Sequence, residues 1–472
     1  MILVVGLGGV LALPLAWRVA TRRFDPFEPL VVFAVAYGTV FVARPAWMLL
    51  HDDLSYAGVD LRGTFPLVTL LALCGGVGFV VAYELRPGAA LARRLPAPRE
   101  IGTRSAAVWS LALVAVAALA VLMLETGVAG GSGELGSVTV SSEYVAHATA
   151  LLVPASLCML AFAVRKRRAW AWGAAALVVA GTLAYLFPEG RRIVMLPLLG
   201  GILVFVYVHR RRRPSVPALV ALAAVALLAS YAAVVVRDQQ ARARAGEEFV
   251  KVVKRPDLVL DLVLTRSDAE MAPVLAGAFT VVPERTGYRW GQVTIGELLV
   301  RPVPRQLWPG KPRPVSDRIV AMVWPAYVGT TFRPVFTPLL SLYWDFGVAG
   351  VIAGMSIFGI ACRALYEWFR RHRDALAAQL VFSAALWYVV VGVRNDPVDT
   401  VVLASFVMVP LVLVAWLSQP SPARSPRPVG GPSDQVGGEE SDADGEAGSG
   451  QVRLVLDEDQ RNIGPPQMER RQ

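Results

Sequence analysis

"FTPLLSLYWDFGVAGVIAGMSIFGI" (336–360) decides the fold. As a helix, the stretch is long enough to cross the hydrocarbon core of a bilayer. Its one charge, Asp345, lies inside the apolar run. A carboxylate there is costly unless it faces a cavity or a partner, so Asp345 is either a site residue or half of a structural salt bridge. Gly347 and Gly350 read as small residues that let neighbouring helices approach.

Working outward, ten more stretches have the same character: 1–17, 29–50, 64–83, 105–124, 144–163, 169–187, 193–208, 216–236, 375–393 and 398–417. The short 193–208 follows its neighbour almost without a loop, and the pair is tilted or partly re-entrant. The start, "MILVVGLGGVLALPLAW", lacks the basic flank and small-residue cleavage site of a signal peptide, so a retained span is expected. Of the 472 residues, 55% are hydrophobic and 17% charged, and the mean hydropathy is +0.52. Such values exclude an ordinary soluble domain. The predicted class is all-α, a polytopic transmembrane helical bundle of about 11 spans with one large helical extracytoplasmic loop. Its parts are 1–236 (spans 1–8), 237–335 (the loop), 336–417 (spans 9–11) and 418–472 (a tail).

The formal charge of +10 follows the loops. With the N-terminus outside, the short inner loops carry twenty Lys or Arg, including Arg22, Arg23 and Arg210 to Arg213. The short outer loops carry four: Arg62, Arg191, Arg192 and Arg394. Arg44 lies inside the second span near its outer end and leaves the bias intact. The positive-inside rule therefore sets the orientation, with the C-terminus cytoplasmic, and no nucleic-acid partner is needed to explain the basic charge. Twelve Trp and twelve Tyr suit interfacial anchoring. Cys74, Cys158 and Cys362 lie in or beside apolar stretches without a CxxC pair, and read as core or lipid-facing residues. The Pro-, Gly-, Ser- and acid-rich chain beyond 418 is expected to be a disordered cytoplasmic tail.

The loop 237–335 holds the unusual chemistry. Its apolar pieces, "FVKVVKRPDLVLDLVL" (249–264) and "MAPVLAGAFTVV" (271–282), are expected to be interfacial or half-buried helices roofing a cavity. The strap "RPVPRQLWPGKPRP" (301–314) joins basic residues to prolines that fix them at low entropic cost. Elsewhere on the outer side, Glu189, Arg191 and Arg192 form a turn between two spans, where a helix N-terminus and two guanidiniums would together favour a phosphate. Interfacial snorkelling is the alternative. Arg394, Asn395, Asp396 and Asp399 form another turn, with helix capping or acid–base chemistry as the choices. Arg333 stands at the mouth of 336–360. Converging arginines suit a diphosphate, and a lipid tail would enter between the helices.

Three pieces carry a family resemblance: "GRR" (190–192), "VPRQLWPGKPRP" (303–314) and "FTPLLSLYWDFGVAG" (336–350). With the span pattern, they resemble the bacterial O-antigen and oligosaccharide repeat-unit polymerases, the Wzy-like membrane glycosyltransferases. Related sequences often carry "PR-x-LWP-x-KP" and "P-x-x-x-LY-x-x-FG-x-x-G", and both match here. Many carry Glu just before "LY", where this chain has Ser341; the role then falls to Asp345 or is absent. The resemblance implies transfer of a growing glycan from a polyprenyl diphosphate to a new lipid-linked repeat unit. The reaction would take place at the outer face of the plasma membrane, without metal or cofactor. The implied catalytic residues are Glu189, Arg191, Arg192, Arg333, Asp345, Arg394 and Asp396. The substrate-binding set is Arg289, Arg301, Arg305, Trp308, Lys311 and Tyr343. The implied partners are the polyprenyl-diphosphate-linked oligosaccharide, membrane lipids, and flippase and chain-length regulator proteins. An oligosaccharide ligase or other lipid-linked glycosyltransferase fits the same features. A flippase or exporter would instead call for repeats and charges along a whole pathway.

Overall fold

A computed structural model describes residues 1–126, 145, 147–187, 192–215, 217–218, 270–301, 303, 308, 310–330 and 334–417. All but residues 217–218 of the expected span 216–236, the piece 249–264 and the tail from 418 lie outside the described residues. What is described is almost wholly helical. The exception is a two-stranded antiparallel hairpin, β1 (Ser55–Tyr56) and β2 (Val59–Asp60).

Nine of the described helices are long and apolar enough to cross a membrane. They are α1 (Ile2–Ala20), α2 (Pro29–Leu50), α3 (Phe65–Glu84), α5 (Thr103–Glu125), α6 (Thr149–Lys166), α7 (Ala169–Leu186), α12 (Pro338–Arg371), α13 (Leu376–Arg394) and α14 (Pro397–Leu417). The expected span 193–208 is α8 (Arg192–His209), whose apolar part, Pro197–His209, is shorter than the rest. This is the architecture of a polytopic membrane protein. Short helices fill the connections: α4 (Arg86–Arg94), α9 (Met271–Ala278), α10 (Glu297–Val300, entered through the π-turn Gln292–Gly296) and α11 (Val315–Val323).

Several helices open on proline, including Pro29 of α2, Pro338 of α12 and Pro397 of α14. In the first turn, the missing N–H has no intrahelical partner to lose. The longest helix, α12, packs along α3. At Gly359, a Cβ would stand 2.4 Å from the Phe79 carbonyl, so only glycine allows that approach.

The described loop segment departs from expectation. The piece beginning at Met271 is expected to be interfacial or half-buried, yet every residue of α9 is buried. Thr64 donates its hydroxyl to the Ala276 carbonyl at 2.8 Å, and Gly277 lies against the Trp324 ring. The physical reason is compositional: "MAPVLAGA" has no charged side chain to offer water, so the loop supplies a piece of core.

Ion pairs sort the bundle's two ends. At one end Arg18 grips Glu28 at 2.7 and 2.9 Å and Glu84 at 2.7 Å, Arg211 meets Asp374, and Arg165 meets Glu100. All of these belong to loops grouped together by the charge count. At the other end stand the hairpin, the described loop segment and the 394–397 turn.

Candidate functional site

The site begins with a break in α12. At Phe346 and Gly347 the backbone leaves helical geometry, and Gly347 takes φ 63, ψ −152. Only glycine holds that conformation without strain. The break lays the Leu342 carbonyl against Gly350, where a Cβ would stand 2.4 Å away. Gly347 thus serves the backbone of its own helix, and Gly350 a close approach within it. Both were expected simply to let neighbouring helices pack.

A broken helix frees backbone carbonyls that the membrane cannot satisfy. Here residues 289–294 satisfy them. Arg289 and Trp290 donate their N–H groups to the carbonyls of Trp344 and Asp345, at 2.9 and 3.1 Å. The fully buried Asp345 carboxylate accepts the N–H groups of Val293 (3.0 Å) and Thr294 (2.8 Å) and the Thr294 hydroxyl (2.6 Å). Asp345 therefore lies neither free in a cavity nor in a salt bridge. It pins the loop to the break.

The turn between α13 and α14 brings the second carboxylate. One oxygen of Asp396 accepts the Val398 N–H at 2.8 Å, capping α14. The other accepts the hydroxyl of Ser341, on the first turns of α12. Burial, with Asp399 nearby and despite the hydrogen bonds from Ser341 and Val398, pushes the Asp396 carboxyl up to about 7. Capping and a proton-exchanging carboxyl, alternatives in the sequence, are compatible in one side chain.

Charged residues of the strap region line the same end. Glu297 lies between Arg301 and Arg318, each at 3.3 Å, and Arg301 reaches Asp399 at 2.9 Å. Burial raises the Glu297 carboxyl, and the two arginines oppose that rise. The guanidiniums of Arg318 and Arg289 stand over the Trp344 ring at 5.4 and 5.9 Å. At that ring, Trp344 Nε1, Arg289 Nε and Arg318 Nε are buried with no hydrogen-bond partner among the described residues. Buried polar atoms of this kind call for an explanation, and a polar ligand would supply one.

The predicted residues distribute unevenly. Ser341, Asp345, Asp396, Arg289 and Arg301 converge. Tyr343 packs edge-on between Phe279 and Tyr288. Lys311 turns inward, donating to the carbonyls of Arg301 and Val303 at 2.9 Å each, so it closes the strap on itself. Trp308 is 42% exposed and fits either a sugar face or an interfacial anchor. Arg394 ends α13 beside Asp396. Glu189, Arg191, Arg305, Arg333 and the side chain of Arg192 lie outside the described residues.

Glu297, Arg318 and Trp344 are additions. Glu297 and Arg301 stand four residues apart, a spacing visible in the sequence as a helical ion pair. Arg318 carried no such signal. Arg44 is buried at this end over the Trp47 ring, 4.7 Å from its centroid. Its place inside a span was the available clue. No protein-family model matches this chain, and neither the curated proteins nor the solved structures compared with it give a match.

Proposed function

We propose that this chain polymerises polyprenyl-diphosphate-linked oligosaccharide repeat units at the outer face of the plasma membrane, with the Asp396 end of the bundle outside and the C-terminus in the cytoplasm. One observation carries the reading. Ser341 occupies the place where the resembling polymerases often carry Glu, and it donates its hydroxyl to Asp396. A carboxyl pushed up to about 7 therefore stands where that Glu would be, supplied by another helix.

In this scheme the Asp396 carboxylate takes the proton of the acceptor sugar hydroxyl as its oxygen bonds to the anomeric carbon of the donor glycan. The bond from that carbon to the lipid diphosphate breaks, and the diphosphate leaves with the electron pair. Arg191, Arg192, Arg305 and Arg333 form the proposed clamp for the developing charge, and Arg289 adds a guanidinium above Trp344. Asp345 positions the loop. A carboxyl with a pKa near the working pH is suited to general-base work.

Purified full-length protein, given one defined polyprenyl-diphosphate repeat unit and no nucleotide sugar, should build a ladder of longer lipid-linked glycans. Absence of a ladder, with the lipid carried across a vesicle instead, replaces this reading with the exporter. Glycan passed only to a different acceptor favours the ligase.

A further inference from the structure

The opposite end of the bundle carries a cavity of about 740 Å3, bounded by the C-terminal ends of α1, α3, α8 and α12. Nine arginines and four carboxylates line it. Its floor is a fixed network. Glu28, 4% exposed, accepts from Arg18 Nε and Nη2 and from the Tyr83 hydroxyl at 3.1 Å, while Arg363 pairs with Glu367 at 2.8 Å. Arg211 is matched by Asp374 at 2.6 Å.

The mouth is not matched. Among the described residues, the side chains of Arg22, Arg23, Arg212 and Arg373 make no hydrogen bond or ion pair, and Arg213 reaches only the Phe24 carbonyl at 3.1 Å. Four helix C-termini, those of α1, α3, α8 and α12, lie here, each worth about half a negative charge, which accounts for only part of this excess. Topology asks for arginines in these loops, but it does not ask that they surround one cavity. Arg22 and Arg211 even hold left-handed backbone (φ 55 and 52), where helix ends usually place glycine. The following residues, Arg23 and Arg212, close the two helix ends with N–H bonds to Arg18 and Tyr207.

We propose that this cavity binds a phosphate-bearing polyanion, either the headgroup of an anionic lipid or a soluble polyphosphate-type ligand. Guanidiniums grip phosphate oxygens in pairs, and the cavity has the size of a small-molecule site. Trp17, exposed at its edge, offers an apolar side from which a lipid would enter. The site is independent of the transfer reaction and lies at the other end of the helices.

The test uses the full chain in two settings. In detergent, tripolyphosphate binding is titrated at two salt concentrations. In phosphatidylcholine nanodiscs, retention of added phosphatidate is counted by native mass spectrometry. The triple variant Arg22→Ala, Arg23→Ala, Arg212→Ala should weaken binding about tenfold or more, since several charge-assisted contacts are lost together. The equally charged control, Arg93→Ala, Arg94→Ala, Arg104→Ala, lies at the same end outside the cavity and should stay within about twofold. Binding of phosphatidate alone assigns the site to a headgroup, and binding of tripolyphosphate alone to a soluble ligand. No binding of either probe, or an equal loss in the control, overturns the proposal. If the alanine variant does not fold, the lysine triple variant decides: it keeps the charge but not the paired contacts, and unweakened binding by it also overturns the proposal.

Discussion

At the scale of single residues, the decisive pair is Ser341 and Asp396. The sequence offered three acids for one role: Glu189, Asp345 and Asp396. Asp345 stood out as the one charge inside a membrane-length run, and that signal was real. What it meant was hidden, because its partners at 293 and 294 lie about fifty residues away and act mainly through backbone N–H groups, which every residue type but proline carries. The Ser341–Asp396 contact spans a similar separation and leaves no spacing to read. Protonation gives a test. The Asp396 carboxyl rises from its ordinary 3.8 to about 7 on folding, so the folded protein holds that proton more tightly than the unfolded chain does. The associated stability is complete below about pH 4 and is lost as pH climbs through about 7. Wild type should therefore lose more stability than Asp396→Asn between those limits, in thermal unfolding followed in detergent. Parallel curves for the two proteins would show that Asp396 does not titrate in this window. Lys311 teaches the opposite lesson. The sequence shows a basic residue in a strap, but only the fold shows its ammonium turned toward carbonyls.

At the scale of elements, the sequence was legible wherever an apolar run was long. Nine of eleven expected spans are membrane-length helices, the tenth is the shorter α8, and 216–236 lies outside the described residues except for 217–218. The break in α12 was harder to foresee. Gly347 and Gly350 sit in a run whose composition continues smoothly on both sides, and small residues in spans usually mean helix packing. The difference lies in the backbone angles, which composition does not specify. Replacing Gly347 by Ala should cost about 1–3 kcal/mol, because φ 63, ψ −152 strains any side chain. Gly350→Ala should also destabilise, by driving a methyl group into the Leu342 carbonyl. Gly173→Ala in α7, with open space around it, is the control and should be neutral or stabilising. Thermal midpoints of the three variants give the comparison. A neutral Gly347→Ala would mean that the helix runs straight through.

At the scale of the whole molecule, charge bias and fold agree on which turns share an end, because short basic loops and helix order both constrain the alternation. The bias further predicts which end faces out. With accessible native cysteines replaced, Arg285→Cys should react with an impermeant maleimide on intact cells, and Arg93→Cys should not. The reverse pattern would move the Asp396 site to the cytoplasm and remove its substrate. The large loop was legible as an exceptional segment, but not as a source of core, since burial of 271–278 depends on partners in α3 and α11 far along the chain. The proposed function rests on one step, in which a carboxyl at Asp396 exchanges a proton in glycan transfer. The direct measurement is the initial transfer rate of purified wild type and Asp396→Asn across pH, with a defined polyprenyl-diphosphate repeat unit. The wild-type rate should rise with pH to a plateau with an apparent pKa near 7, and the variant, while remaining folded, should lie about 100-fold or more below that plateau and lose the rise with pH. A folded Asp396→Asn protein within about threefold of the wild-type rate would contradict the account.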